Sequence, residues 1–229
     1  MLLQGQSICK SFGKGDARTH VLKGVNMNLE AGEFVAIMGK SGCGKSTLLN
    51  LLSTLDQTDK GQIFFEGKDI SQLSDDEAAK LRLESFGFVF QMPRMVKNLT
   101  ILDNILLPSL TYKKDKEAAK QQALALMEEI GISDLADKRI SQVSGGQLQR
   151  AGICRALINN PNLIFADEPT GNLDSVTSSL IENTLFSYNK EKGVTLIIVT
   201  HDQDLANKCD MQIHIKDGKV EKIEGAKNA

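Results

Sequence analysis

No apolar run in this chain approaches the ~20 consecutive residues that a membrane-spanning helix needs. Residues 1–10 lack the basic stretch and long apolar core of an export signal, so the chain is expected to be neither exported nor membrane-spanning. Cysteine is sparse. Cys9, Cys43, Cys154 and Cys209 stand far apart with no C-x-x-C pair, which points away from a zinc site or a disulfide framework and fits a reducing, cytosolic setting. Positive charge is not in surplus. The 27 Lys and Arg against 29 Asp and Glu leave a net charge of −2 with no basic stripe, so nucleic acid is not an expected partner. Low-complexity tracts and internal repeats are missing too. What remains is 229 residues, 41% of them hydrophobic, enough for one large domain or one domain with a subdomain.

The most informative stretch is Gly39-Lys40-Ser41-Gly42-Cys43-Gly44-Lys45-Ser46-Thr47, which fits the phosphate-loop pattern G-x-x-x-x-G-K-[ST]. It follows an apolar run, 34–38, that reads as a buried strand, and precedes a leucine-rich run, 48–52, that reads as a helix. The glycines let backbone N–H groups point into one cavity, and the helix start adds partial positive charge. Lys45 is then placed to reach the outer phosphates and Ser46 to ligate Mg²⁺.

Further strands are expected over 2–10, 21–29, 33–38, 61–67, 86–91, 163–166 and 195–200. Ser74 with Glu77 three residues later reads as a capped helix start. The stretch from Thr100 to about Gly131 reads as helical, with Ala123, Leu124, Met127 and Ile130 on one core-facing side. Helices are also expected over 144–160, stopped by Pro161, and over 175–191. Residues 211–220 read as a hairpin turning at Asp217-Gly218, and the tail from Glu224 as frayed. Buried strands alternating with helices imply an α/β fold with a mostly parallel sheet covered on both faces. The long interval from Lys45 to Asp167 makes the helix-rich region 92–147 look like an inserted subdomain.

The strand 163–166 ends in Asp167-Glu168, which places two acids at the carboxyl edge of the sheet, where open α/β sheets bind ligands. Asp167 is suited to hold Mg²⁺ and Glu168 to take a proton from an attacking water. Alone, the pair would read as a solvated turn before Pro169; the phosphate loop in the same chain favours the functional reading. Ser144-Gly145-Gly146-Gln147 opens a helix with a good cap and accessible N–H groups, a second anion site.

These residues resemble the nucleotide-binding subunit of an ATP-binding cassette (ABC) transporter. The matching elements come in order: the phosphate loop 39–47, Gln91 after an apolar strand, Val143-Ser144-Gly145-Gly146-Gln147, Asp167-Glu168, Asn172-Leu173-Asp174, and His201 after a further apolar strand. Val143 stands where the family most often has Leu, a conservative departure. The resemblance covers nearly the whole chain. It implies a P-loop NTPase (RecA-like) core over 1–91 and 148–225, an N-terminal antiparallel β region, and a helical subdomain over about 92–147, all in one domain spanning 1–229.

The same resemblance implies roles by position. ATP is the substrate and Mg²⁺ the metal. Gln91 contacts Mg²⁺ and the attacking water and links the site to the helical subdomain; His201 holds the γ-phosphate. Phe12 stacks on adenine where the family usually has Tyr, with Val21 beside it. Asp174 belongs to the loop that joins the nucleotide site. The site is shared: Ser144 to Gln147 of one copy close on the phosphate loop of another, so ATP holds a homodimer together. An integral permease is the expected partner, on the cytoplasmic side of the membrane.

Several stretches, among them Gly87-Phe88-Val89-Phe90-Gln91 and Asn98-Leu99-Thr100, resemble the lipoprotein-releasing, macrolide-efflux and bacitracin-resistance subgroup. Asp103 stands where Glu is commoner there. A non-transport ABC ATPase that regulates a cell-division or signalling permease carries the same motifs. A GTPase is a rival because Asn207-Lys208-Cys209-Asp210 matches N-K-x-D; it fails because the residue three after Asp167 is Thr170 rather than Gly.

Overall fold

The computed structural model describes residues 1–110 and 115–225. Strands β1 (Leu3–Phe12), β2 (Thr19–Leu29) and β3 (Phe34–Met38) lead to helix α1 (Lys45–Leu52). Strands β4 (Lys60–Phe65) and β5 (Lys68–Asp69), helix α2 (Asp75–Ser85) and strand β6 (Phe86–Phe90) follow. Next come helices α3 (Ile101–Leu110), α4 (Lys116–Glu129) and α5 (Gly145–Leu157), then strand β7 (Leu163–Asp167) and helix α6 (Ser175–Lys192). Strand β8 (Thr195–Val199), helix α7 (Gln203–Asn207) and strands β9 (Met211–Lys216) and β10 (Lys219–Glu224) complete the order. Among the described residues no helix is long and apolar enough to cross a membrane.

The chain divides into two compact units: Met1–Lys80 with the chain from Thr195 onward, and Leu81–Val194. In the first, β1 pairs antiparallel with both β2 and β4, and β4 with β5. In the same unit β3 lies parallel between β8 and β9, and β10 closes antiparallel on β9. All five residues of β3 and all five of β8 are buried, the pattern of strands covered on both faces. In the second unit β6 and β7 are parallel, with Phe90 opposite Asp167. Its helix α5 packs on β6 and on α3, α4 and α6.

Local chemistry explains the helix ends. Ser74 and Glu77 exchange the two bonds of a capping box at the start of α2. Asp174 caps α6 through Thr177 N, and Gly193 ends the helix at φ 68°, a left-handed value that suits glycine. The helical stretch expected from Thr100 to Gly131 is two helices, because the Asp115 side chain caps a new one by accepting from Glu117 N and Ala118 N. Residues 111–114 of that stretch lie outside the described residues.

One expected core residue is corrected. Ala123, Met127 and Ile130 are buried, but Leu124 is 38% exposed. The buried row on α4 runs Ala119, Ala123, Leu126, Met127, and Leu124 sits about 100° off it. The hairpin turn at Asp217-Gly218 lies where the sequence puts it. Glu224 belongs to β10, and residues 226–229 of the tail expected to fray lie outside the described residues.

Candidate active site

The phosphate loop joins the end of β3 to α1 in the first unit. Gly39, Gly42 and Gly44 all have positive φ, at 149°, 77° and 109°. Close approach also forbids side chains here. A Cβ on Gly39 would meet the Ile215 carbonyl, and one on Gly44 would lie 2.8 Å from Leu22 Cδ2. Gly44 in left-handed geometry sits at the N-cap of α1, so the first N–H groups of the helix open toward the loop. Lys45 is buried, and its Nζ donates to the carbonyls of Gly39 at 2.8 Å and Lys40 at 3.0 Å. The ammonium is therefore held by the loop that precedes it. Ser46 is exposed and Thr47 half-buried on the first turn of α1.

A cavity of about 940 Å³ adjoins this loop, lined by Gly39, Lys40, Ser41, Gly42 and Cys43 together with Val21, residues 19, 20 and 23, and the β9–β10 hairpin. Sequence reasoning gave Val21 but missed the hairpin's His214 and Lys216, which only tertiary pairing brings there. Phe12 is not among the lining residues. It ends β1, is 47% exposed, and pairs with Thr19, which does line the cavity. Its ring also carries Lys10 Nζ at 5.4 Å from the centroid. His201 is exposed and follows β8; because Ile37 pairs with Val199, His201 and Gly39 leave the same edge of the sheet.

The N-K-x-D stretch falls at the wrong end. Asp210 Oδ2 accepts from Phe34 N at 2.9 Å, at the start of β3, while the phosphate loop follows its end. Five residues of strand, about 16 Å, separate the two. Asp210 anchors a strand rather than reading a base.

The second unit carries the other expected residues. Asp167 ends β7 opposite Phe90, so Gln91 and Glu168 emerge side by side at one sheet edge. Glu168 has φ 44°, a left-handed conformation that costs a non-glycine residue about 1 kcal/mol or more. Such strain is retained where geometry matters. Gln91 Nε2 lies 3.4 Å from Asn172 Oδ1. Gly171 lets these groups converge: a Cβ there would sit 2.9 Å from Gln91 Nε2 and 3.3 Å from Glu168 Oε2. Sequence reasoning missed Gly171. Gly171→Ala is expected to cut kcat about tenfold through displaced side chains while ATP affinity stays unchanged. Steady-state turnover and a nucleotide titration check this, and an unchanged kcat would contradict it.

Ser144 caps α5 by accepting from Gln147 N at 3.3 Å, and Gln147 Oε1 accepts from Ser144 N at 2.8 Å. Gly146 has a second reason to be glycine, since a Cβ there would collide with Thr177 Cγ2. Thr177 is in turn gripped by Asp174, whose Oδ1 accepts from its N–H and whose Oδ2 accepts from its hydroxyl at 2.7 Å. The Thr177 backbone bond, then its hydroxyl, holds the Asp174 carboxyl below its ordinary range. Asp174 thus orders the start of α6 beside Gly145 and Gly146.

Two cysteines give a direct check on the loop. Cys43 is half-buried and lines the cavity, whereas Cys154 is buried and its thiol is pushed up to about 12 by desolvation. A thiol reagent is expected to label Cys43 before Cys154, and ATP to slow the Cys43 reaction. Mass spectrometry of the labelled chain reads this; labelling indifferent to ATP would remove Cys43 from the site.

Comparison with known proteins agrees with this geometry. A family model described as "ABC transporter" matches residues 22–171. The lipoprotein-releasing system ATP-binding protein LolD of Bdellovibrio bacteriovorus is 41% identical over 216 residues, 94% of this chain and 98% of that protein. The macrolide export ATP-binding/permease protein MacB of Pasteurella multocida is 43% identical over 219 residues, 96% of this chain but 34% of that protein. Among solved structures, the dimeric ABC transporter cassette MJ0796 superposes with a TM-score of 0.92 at 38% identity, over 100% of both chains. Its post-hydrolysis dimer bound to ADP and Pi superposes with a TM-score of 0.89 at 37% identity, again over 100% of both chains. With a glycine loop gripping Lys45, acids at a strand end and a capped Ser-Gly-Gly-Gln helix all accounted for, the chain belongs to the ABC transporter family as one of its ATP-hydrolysing cassettes.

Proposed function

We propose that two copies of this chain bind and hydrolyse MgATP between them and so drive an integral membrane permease from its cytoplasmic side. The observation that carries the reading is Lys45, a buried ammonium fixed by its own phosphate loop at a helix start. That MacB carries a permease in the same chain, and that MJ0796 is dimeric, supports the permease and the homodimer. Efflux, lipoprotein release and antimicrobial-peptide resistance are the transport types that the subgroup resemblance favours.

In this reading the loop N–H groups, the α1 start and Lys45 take the outer phosphates. Phe12 and Val21 hold the base. The Ser46 hydroxyl, the Gln91 amide oxygen and an Asp167 carboxylate oxygen are hard donors of the kind Mg²⁺ selects. These residues would hold the ion, which would supply Lewis-acid neutralisation of the charge that develops on the phosphates. Glu168 accepts a proton from water as its oxygen bonds to the γ-phosphorus, and the bond to ADP breaks with its electron pair leaving on ADP. Gln91 and His201 orient the water and the γ-phosphate. Ser144 to Gln147 of the second copy add N–H donors to the same phosphate, and Asp174 holds the adjoining loop. Each copy neutralises part of the triphosphate charge, so ATP favours the closed pair and hydrolysis releases it.

Phosphate release by the purified chain tests the chemistry. ATP turnover is expected to vanish with excess EDTA and return with added Mg²⁺. Turnover that survives chelation would overturn the metal assignment.

A further inference from the structure

Three residues of α5 lie against the chain on both sides of Gln91, two of them through backbone carbonyls, and the chemistry above uses none of them. Gln149 is 1% exposed, and its Nε2 donates to the Phe90 carbonyl at 2.9 Å. A Cβ on Gly152 would sit 3.5 Å from Pro93 Cβ, so the helix lies directly against that ring. Arg155 Nη1 donates to the Arg94 carbonyl at 2.6 Å. Positions 149, 152 and 155 follow one another at intervals of three, along one side of the helix. They run parallel to residues 90–94. The same helix begins at Ser144, and Phe90 pairs with Asp167.

We propose that Gln149, with Arg155 as its second clamp, is a positioning residue for hydrolysis: it holds the Phe90 carbonyl on α5 and thereby fixes Gln91 relative to the Ser144 helix start. This rests on the reading of Gln91 given above. An amide buried at this point has one backbone carbonyl to serve, and losing the donor leaves that carbonyl without its partner. The residue next along the chain is the one meant to orient water. A shift there on the order of 1 Å is enough to slow chemistry by orders of magnitude without touching Lys45.

A double-mutant cycle on the full chain tests this. Steady-state MgATP hydrolysis is measured for wild type, Gln149→Leu, Gln91→Ala and the double variant. Gln149→Leu is expected to lower kcat about tenfold and to change KM less than about twofold. In the Gln91→Ala background it costs almost nothing further, because there is no side chain left to position. A residue that only stabilises the fold would cost the same in both backgrounds, and that result overturns the proposal. Wild-type kcat in Gln149→Leu with an impaired Gln91→Ala overturns it alone. Wild-type turnover in Gln91→Ala overturns the Gln91 reading and this inference with it. Should Gln149→Leu not fold, Gln149→Glu replaces it. A carboxyl buried there is protonated more readily than in water and then donates the same bond; ionised, it repels the carbonyl. Its kcat relative to wild type should rise from about pH 8 to about pH 6. A flat ratio overturns the proposal.

Discussion

Glu168→Gln is expected to bind ATP like the wild type and to hydrolyse it about 10²–10⁴-fold more slowly. The change keeps the shape of the side chain and removes the proton acceptor. Glu168 stands at φ 44° beside Gln91 and Gly171, so its backbone is already committed to one direction. An amide in that place still packs and still accepts hydrogen bonds, but it does not take a proton from water. Each tenfold loss corresponds to about 1.36 kcal/mol in the barrier, so the expected effect is at least about 2.7 kcal/mol. Single-turnover hydrolysis with a separate binding titration reads the two quantities apart. Wild-type turnover in this variant would remove Glu168 as the base.

Lys45→Ala is expected to fail earlier, at binding. The ammonium is buried and donates to two carbonyls of the phosphate loop, so it is oriented before any ligand arrives. Hydrogen bonds to charged groups contribute about 1.5–3 kcal/mol, which is roughly a ten- to hundredfold rise in Kd for ATP. Alanine also leaves the Gly39 and Lys40 carbonyls without that donor, so some loss of thermal stability accompanies the loss of affinity. Calorimetric titration measures the first and a melting curve the second. An unchanged Kd would take Lys45 out of the site.

The sequence made legible whatever short-range chemistry decides. Ser74 with Glu77 and Ser144 with Gln147 are three residues apart, and both form the capping boxes that this spacing specifies. The apolar runs at β3, β7 and β8 are buried strands because nothing in them has to face water. The Asp217-Gly218 turn follows from the left-handed geometry that both residues adopt there. Leu124 shows the opposite case. It is apolar and sits among helix formers, and its exposure follows from a rotation of about 100° away from the row that packs.

The break at Asp115 was readable in principle, since an aspartate ahead of Lys116 and Glu117 is a good cap. It was hidden by an unbroken run of helix-forming residues after it. The contacts that set the site apart from its motifs were not readable at all. Gly146 against Thr177, Gly171 against Gln91 and Glu168, and Gln149 on the Phe90 carbonyl join residues up to 80 positions apart. No local spacing encodes them. The cavity wall formed by the β9–β10 hairpin is of the same kind, built by a chain segment far from the loop that it faces.

The mass of Glu168→Gln in solution tests the central claim most directly. With MgATP, sedimentation is expected to give a species of about 50 kDa, twice the 25.0 kDa chain, and with ADP or no nucleotide the single chain. ATP would then be the ligand that joins two incomplete halves. A 25.0 kDa particle that holds ATP at saturating nucleotide and magnesium, with no heavier species at any protein concentration, would contradict the shared site.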